Sequence, residues 1–158
     1  PAALQSKTQT IGILATKGTL NSELFHKNVT NHPDVKIIEQ IGHGLVQLIE
    51  NGDMDSAEME DLLKSYLNPM VEKNIDYLVL GCSHYPYLIP QIKKIIPPQI
   101  KIIDSGEAVA KQTQKILEQN KLLNLSKRKS SQIFYTNSEP EVLKNILENN
   151  ETVIYKNF

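Results

Sequence analysis

Short apolar runs alternate with stretches of helical period along this chain of 158 residues. "TIGILAT" (Thr10 to Thr16) is rich in β-formers and closes on Lys17-Gly18-Thr19, a turn signal. Asn21 to Asn28 reads as a helix with Asn21 or Ser22 as its N-cap. "VKIIEQI" (Val35 to Ile41) is a second strand, punctuated by Gly42 and Gly44, and "LVQLIE" (Leu45 to Glu50) suits a short helix closed by Asn51-Gly52. From Asp55 the pattern becomes strongly helical. Met59, Leu62, Leu63, Tyr66, Leu67 and Met70 trace one apolar face, and Asp55 with Glu58 three positions on forms a capping-box pattern. Pro69 is expected to kink this helix or split it in two.

"IDYLVLGC" (Ile75 to Cys82) is nearly continuous in apolar character, which predicts a strand buried on both faces. A helix follows over Pro86 to Ile96, a strand in "IKIIDSG" (Ile100 to Gly106), and a helix over Glu107 to Asn120 capped by Asp104 or Ser105. After a polar connector come a strand in "QIFYT", a helix over Glu139 to Glu148 and a strand in "TVIYK". The alternation predicts an α/β fold, an open and mostly parallel sheet with flanking helices. There is no internal repeat.

Charge adds mainly exclusions. Seventeen basic residues against eighteen acidic ones leave a net charge of -1, which gives no electrostatic reason to expect a nucleic-acid partner. The cluster "SKRKSS" (Ser126 to Ser131) reads as a solvated loop. No apolar run approaches the ~18 to 20 residues of a membrane-spanning helix. The single cysteine rules out an internal disulfide, fits the reducing cytoplasm, and lacks the second cysteine that would complete a zinc site, so no metal is expected.

Open α/β sheets bind ligands beyond the carboxyl ends of their strands, and two such ends carry chemistry. In "GCSHYP" (Gly81 to Pro86), Gly81 permits close approach, Cys82 offers a thiol, Ser83 a hydroxyl, and His84 an imidazole able to exchange a proton with the thiol. If the helix begins near Pro86, its amides and dipole favour a thiolate. The other end is Thr16 to Thr19, where two hydroxyls flank Lys17-Gly18. That suits a small anion, although threonines at such places often only cap helices. Glu50, closing its short helix, reads by itself as a solvated carboxylate. Buried cysteines are usually inert, so these residues alone leave catalysis and simple packing both open.

"IGILATKGT", "GLVQLIENGD", "YLVLGCSHYP" and "IIDSGEAVA" occur in the order and spacing of the glutamate racemases, and the chain resembles that family. The family's usual Gly-Cys-Thr-His-Tyr-Pro has Ser83 in place of threonine here, which keeps the hydroxyl. The resemblance implies a cofactor-independent enzyme that interconverts L- and D-glutamate, a peptidoglycan precursor, using two cysteines on opposite sides of the α-carbon. It implies that Cys82 is the second of these thiols, assisted by His84, which also lines the substrate. Ser83 would contact substrate, Thr16 and Thr19 would supply substrate-side hydroxyls, and Glu50 would support this half of the site.

The family's opening "DSG" loop and the segment bearing its first cysteine have no counterpart in this sequence. The resemblance therefore implies the latter part of a racemase, with Pro1 an internal position of a longer protein. Residues 1–104 would form its second α/β domain and residues 105–158 the segment that returns to the first. As an isolated polypeptide the chain is expected to be inactive, with its exposed sheet edge needing cover, for which another copy of the chain is a candidate. Two alternatives stand beside this: a non-catalytic module that keeps the fold and binds a small dicarboxylate, and a relative of the aspartate racemases. The histidine of "GCSHYP" argues against the latter, because those enzymes usually carry glutamate there.

Overall fold

The computed structural model describes residues 2–126, 131–147 and 152–158. They divide into two compact units, 1–104 and 105–158. The first is a parallel sheet flanked by helices: α1 (Ala2–Gln5), β1 (Thr10–Ala15), α2 (Lys17–Leu20), α3 (Glu23–Thr30), β2 (Lys36–Ile41), α4 (Leu45–Asn51), α5 (Ala57–Glu72), β3 (Tyr77–Gly81), a 3-10 turn (Tyr85–Leu88), α6 (Ile89–Ile95) and β4 (Lys101–Ile103). The strand order is β2-β1-β3-β4, every pair parallel. This is the α/β architecture that the alternation of runs predicts.

Alternation along β1 and β3 divides the core into two layers. Ile11, Ile13, Ala15 and Tyr77 join Ala2 and Leu20 on one face, with Phe25 of α3 packed against them. On the other face α5 buries Met59, Leu63, Leu67 and Met70, each worth about 1.5 to 3 kcal/mol over exposure. No helix among the described residues is long and apolar enough to cross a membrane.

Three local expectations change. The cap of α5 is Ser56, whose hydroxyl accepts from the Met59 N–H at 3.1 Å, so the Asp55–Glu58 pair is not the capping box. The apolar face decides this, because it places Met59 rather than Glu58 at the third helical position. Pro69 does not split the helix, which runs unbroken to Glu72. Pro69 and Ser65 both lie on the exposed side, so the carbonyl deprived of a helical donor faces water.

The helix expected from Pro86 instead begins at Ile89, after a 3-10 turn. Pro90 has no N–H to give the Pro86 carbonyl four residues back, so Ile89 bonds it at the shorter spacing. The Tyr85 N–H to the Cys82 carbonyl (3.3 Å) and the Tyr87 N–H to the His84 carbonyl (3.2 Å) follow the same spacing. Cys82 therefore faces a 3-10 turn, and the helix-dipole argument for its thiolate does not apply.

The second unit holds α7 (Gly106–Gln119), β5 (Ile133–Thr136), α8 (Pro140–Ile146) and β6 (Thr152–Tyr155), with β5 and β6 parallel. Neither helix buries a residue, and Val109, Ile116, Ile133 and Tyr155 are exposed. Parallel sheets are ordinarily covered on both faces, and two strands alone are marginal, so this unit presents apolar surface that calls for cover. The basic residues Lys127 to Lys129 and the expected helix end at Glu148 lie outside the described residues.

Candidate active site

The site follows from strand order. From β1 the chain crosses to β2 on one side, and from β3 it crosses to β4 on the other, so the connections part between β1 and β3. A crevice at such a switch point is where open α/β sheets bind ligands. Ala15 pairs with Gly81 at the carboxyl ends, so Thr16 and Cys82 leave the sheet as neighbours. Gly81 is required by close approach: a Cβ there would stand 2.7 Å from Ala15 Cβ and 3.4 Å from Thr19 Cγ2.

At the end of β3, Cys82 Sγ lies 3.9 Å from His84 Nδ1, at the long limit of a sulfur hydrogen bond. The other ring nitrogen, His84 Nε2, lies 3.1 Å from Glu50 Oε1 at the end of α4. An ionised carboxylate can only accept, so Nε2 carries the proton and, in the neutral ring, Nδ1 is left as an acceptor facing the thiol. Thiol, imidazole and carboxylate thus form a line along which the thiol proton can pass to the ring while the carboxylate stabilises the resulting imidazolium.

The threonine turn is ordered from within. Thr16 caps α2 by accepting from the Thr19 N–H at 3.2 Å, and the two hydroxyls lie 3.0 Å apart. A small cavity of about 170 Å³ opens beside it, lined by Thr16, Lys17, His43, Gln47 and Tyr85 among others. Ser83 is exposed on the loop between Cys82 and His84. The fold therefore joins Cys82, His84 and Glu50 directly and brings the Thr16–Thr19 pair beside the strand that carries the thiol. Among the described residues no group of three or more His, Cys, Asp or Glu side chains is placed to hold a metal ion.

The family profile of Asp/Glu/hydantoin racemases matches residues 1–113. The chain belongs to this family.

Within the racemases, it is 40% identical over 148 residues to the glutamate racemase of Pseudomonas putida KT2440, a match covering 93% of this chain and 56% of that protein. The chain thus spans little more than half the length of that relative. A glutamate racemase isoform of Bacillus anthracis superposes with a TM-score of 0.81 at 27% identity, covering 99% of this chain and 60% of the other. The Francisella tularensis glutamate racemase, solved in complex with D-glutamate, gives 0.78 at 28% identity and covers the same shares.

No local sequence pattern pairs Tyr85 with Gly42. Tyr85 is fully buried, its hydroxyl donating to the Gly42 carbonyl at 3.1 Å. The available signal was a tyrosine inside an otherwise functional motif and a glycine directly after a strand. Only the strand order shows that the two meet.

Proposed function

We propose that these residues form one half of a glutamate racemase active site, in which Cys82 is one of two proton-carrying thiols. The observation that carries this reading is the line from Cys82 through His84 to Glu50 at the switch point of the sheet. The thiolate of Cys82 takes the α-proton of glutamate on one face and becomes a thiol, while a second thiol delivers a proton to the opposite face. Inversion needs both directions, because a proton returned by the same thiol restores the starting configuration. The α-proton is weakly acidic, so the carbanion needs preorganised donors, a role for the hydroxyls of Thr16, Thr19 and Ser83. No organic cofactor is invoked.

In this reading residues 1–104 are the second racemase domain and residues 105–158 return to the first. The apolar surface of the second unit would be covered by the remainder of a racemase or by a second copy of the chain. The product, D-glutamate, would serve peptidoglycan synthesis in a bacterial cytoplasm. These 158 residues hold one cysteine, so by themselves they should not racemise glutamate. Incubation of this polypeptide with L-glutamate, followed by chiral analysis, should show no D-glutamate above a protein-free control. Robust conversion would overturn the two-thiol reading.

The same lone thiol favours a second reading, a dicarboxylate-binding module that keeps the fold without the reaction. Glutamate binding that is indifferent to replacement of Cys82, His84 and Glu50, in a racemase-length protein that shows no turnover, would support it.

A further inference from the structure

Tyr85 stands next to His84 with its ring completely buried and its hydroxyl on the Gly42 carbonyl, 3.1 Å away. Gly42 follows β2 directly and donates its own N–H to the Ala15 carbonyl at the end of β1, at 3.0 Å. The phenol therefore ties the connection after β3 to the end of β2, which its own backbone already joins to the end of β1. A side chain at Gly42 is excluded by that phenol and by Leu45 at the start of the next helix, because a Cβ would lie 2.4 Å from Oη, 2.9 Å from Cζ and 2.8 Å from Leu45 Cδ1. Three residues beyond Gly42, α4 begins, and Glu50 lies near its far end.

His84 and Glu50 thus reach each other from two separate connections, one after β3 and one after β2. The Tyr85–Gly42 bond cross-links those connections. Burial, with the nearby Cys82 and Tyr66 adding to it, pushes the Tyr85 phenol well above its ordinary value. It therefore remains a donor wherever thiols and imidazoles titrate.

We propose that Tyr85 is a positioning residue for the Cys82–His84–Glu50 line, holding the connection that bears the thiol and imidazole in register with the one that leads to the carboxylate. This rests on the reading of Cys82 as a proton-carrying thiol. The titratable groups around the thiol and the phenol are His84 on the same connection, Glu50 on α4, Tyr66 on α5, whose hydroxyl donates to the His43 carbonyl, and Lys17 and His43 lining the adjacent cavity. Of these, His84 and Glu50 form the line to the thiol that the phenol registers.

Cys82 is the single cysteine, so alkylation by iodoacetamide reports on it alone. The rate should be followed against pH in this chain and in His84→Asn, Glu50→Gln, Tyr85→Phe, Gly42→Ala and Leu67→Val. The last is a control, buried in α5 and outside the site. His84→Asn and Glu50→Gln should move the profile to higher pH. Tyr85→Phe should move it the same way by about half a pH unit, roughly threefold in rate near neutrality. Gly42→Ala, whose methyl displaces the phenol hydroxyl, should do likewise, and Leu67→Val should not.

Wild-type profiles for Tyr85→Phe and Gly42→Ala, with His84→Asn and Glu50→Gln shifted, would overturn the positioning role alone. An equal shift in Leu67→Val would reduce that role to general packing and overturn it too. Unshifted profiles for both His84→Asn and Glu50→Gln would bring down the reading of the site itself, and the inference with it. Should Tyr85→Phe fail to fold, Gly42→Ala carries the decision.

Discussion

His84 Nε2 lies 3.1 Å from Glu50 Oε1, although 34 positions separate the two residues in the chain. Neither is deeply buried, the side chains keeping 29% and 48% of their surface exposed. Water screens such a pair, so its contribution to stability is small, about 1 kcal/mol or less. Its value lies in orientation. With Nε2 on the carboxylate, Nδ1 on the opposite edge of the ring is turned to Cys82, 3.9 Å from its Sγ.

Glu50→Gln and His84→Asn should therefore separate catalysis from stability. In a racemase of the relatives' length that contains these residues, each should lower kcat by about tenfold to a thousandfold with KM changed by only about threefold. Urea midpoints should stay near wild type. Steady-state kinetics with unchanged kcat would remove the residue concerned from the mechanism.

Ser56→Ala should cost about 1 kcal/mol, because it deprives the Met59 N–H of its partner at the start of α5. Asp55→Ala should cost less, since Asp55 is not the cap and its contacts with Gln91 and Lys94 are at the surface. Chemical denaturation of the two variants distinguishes the caps, and a larger loss for Asp55→Ala would contradict the assignment.

Asp76 supplies a pH dependence. Burial opposes its ionisation, but bonds from the Ser6 hydroxyl at 2.7 Å and from the backbone N–H groups of Lys7 and Thr8 outweigh it and hold the carboxyl below its usual range. A depressed value means that the folded state favours the charged form. The stabilisation is therefore complete above the unfolded value of about 3.9 and is lost as pH falls through the folded one. Asp76→Asn should be about 1 kcal/mol less stable at neutral pH and converge with wild type in stronger acid. Parallel stability curves would contradict this.

The strands were largely legible in the sequence because a parallel strand covered on both faces must be apolar throughout, as "YLVLG" is. Cys82 and His84 were legible because they sit where such a run stops. Glu50 was legible only through the family resemblance, since by local pattern a carboxylate at the end of a short helix looks solvated until β2 and β3 bring that helix against the 3-10 turn. Tyr85 and Gly42 were hidden for the same reason. Their partnership depends on β1 lying between β2 and β3, which no local pattern specifies. The helix start after Cys82 was misplaced because Pro86 suits a helical first turn, while Pro90 removes the donor that would have made it α.

Replacing Cys82 tests the account most directly. In a racemase of the relatives' length that contains these residues, Cys82→Ala should abolish interconversion of L- and D-glutamate while glutamate binding stays within about tenfold, because one proton carrier is lost and no binding contact. Chiral analysis of product beside a binding titration measures both. Appreciable racemisation by Cys82→Ala would contradict the claim that this thiol carries the proton.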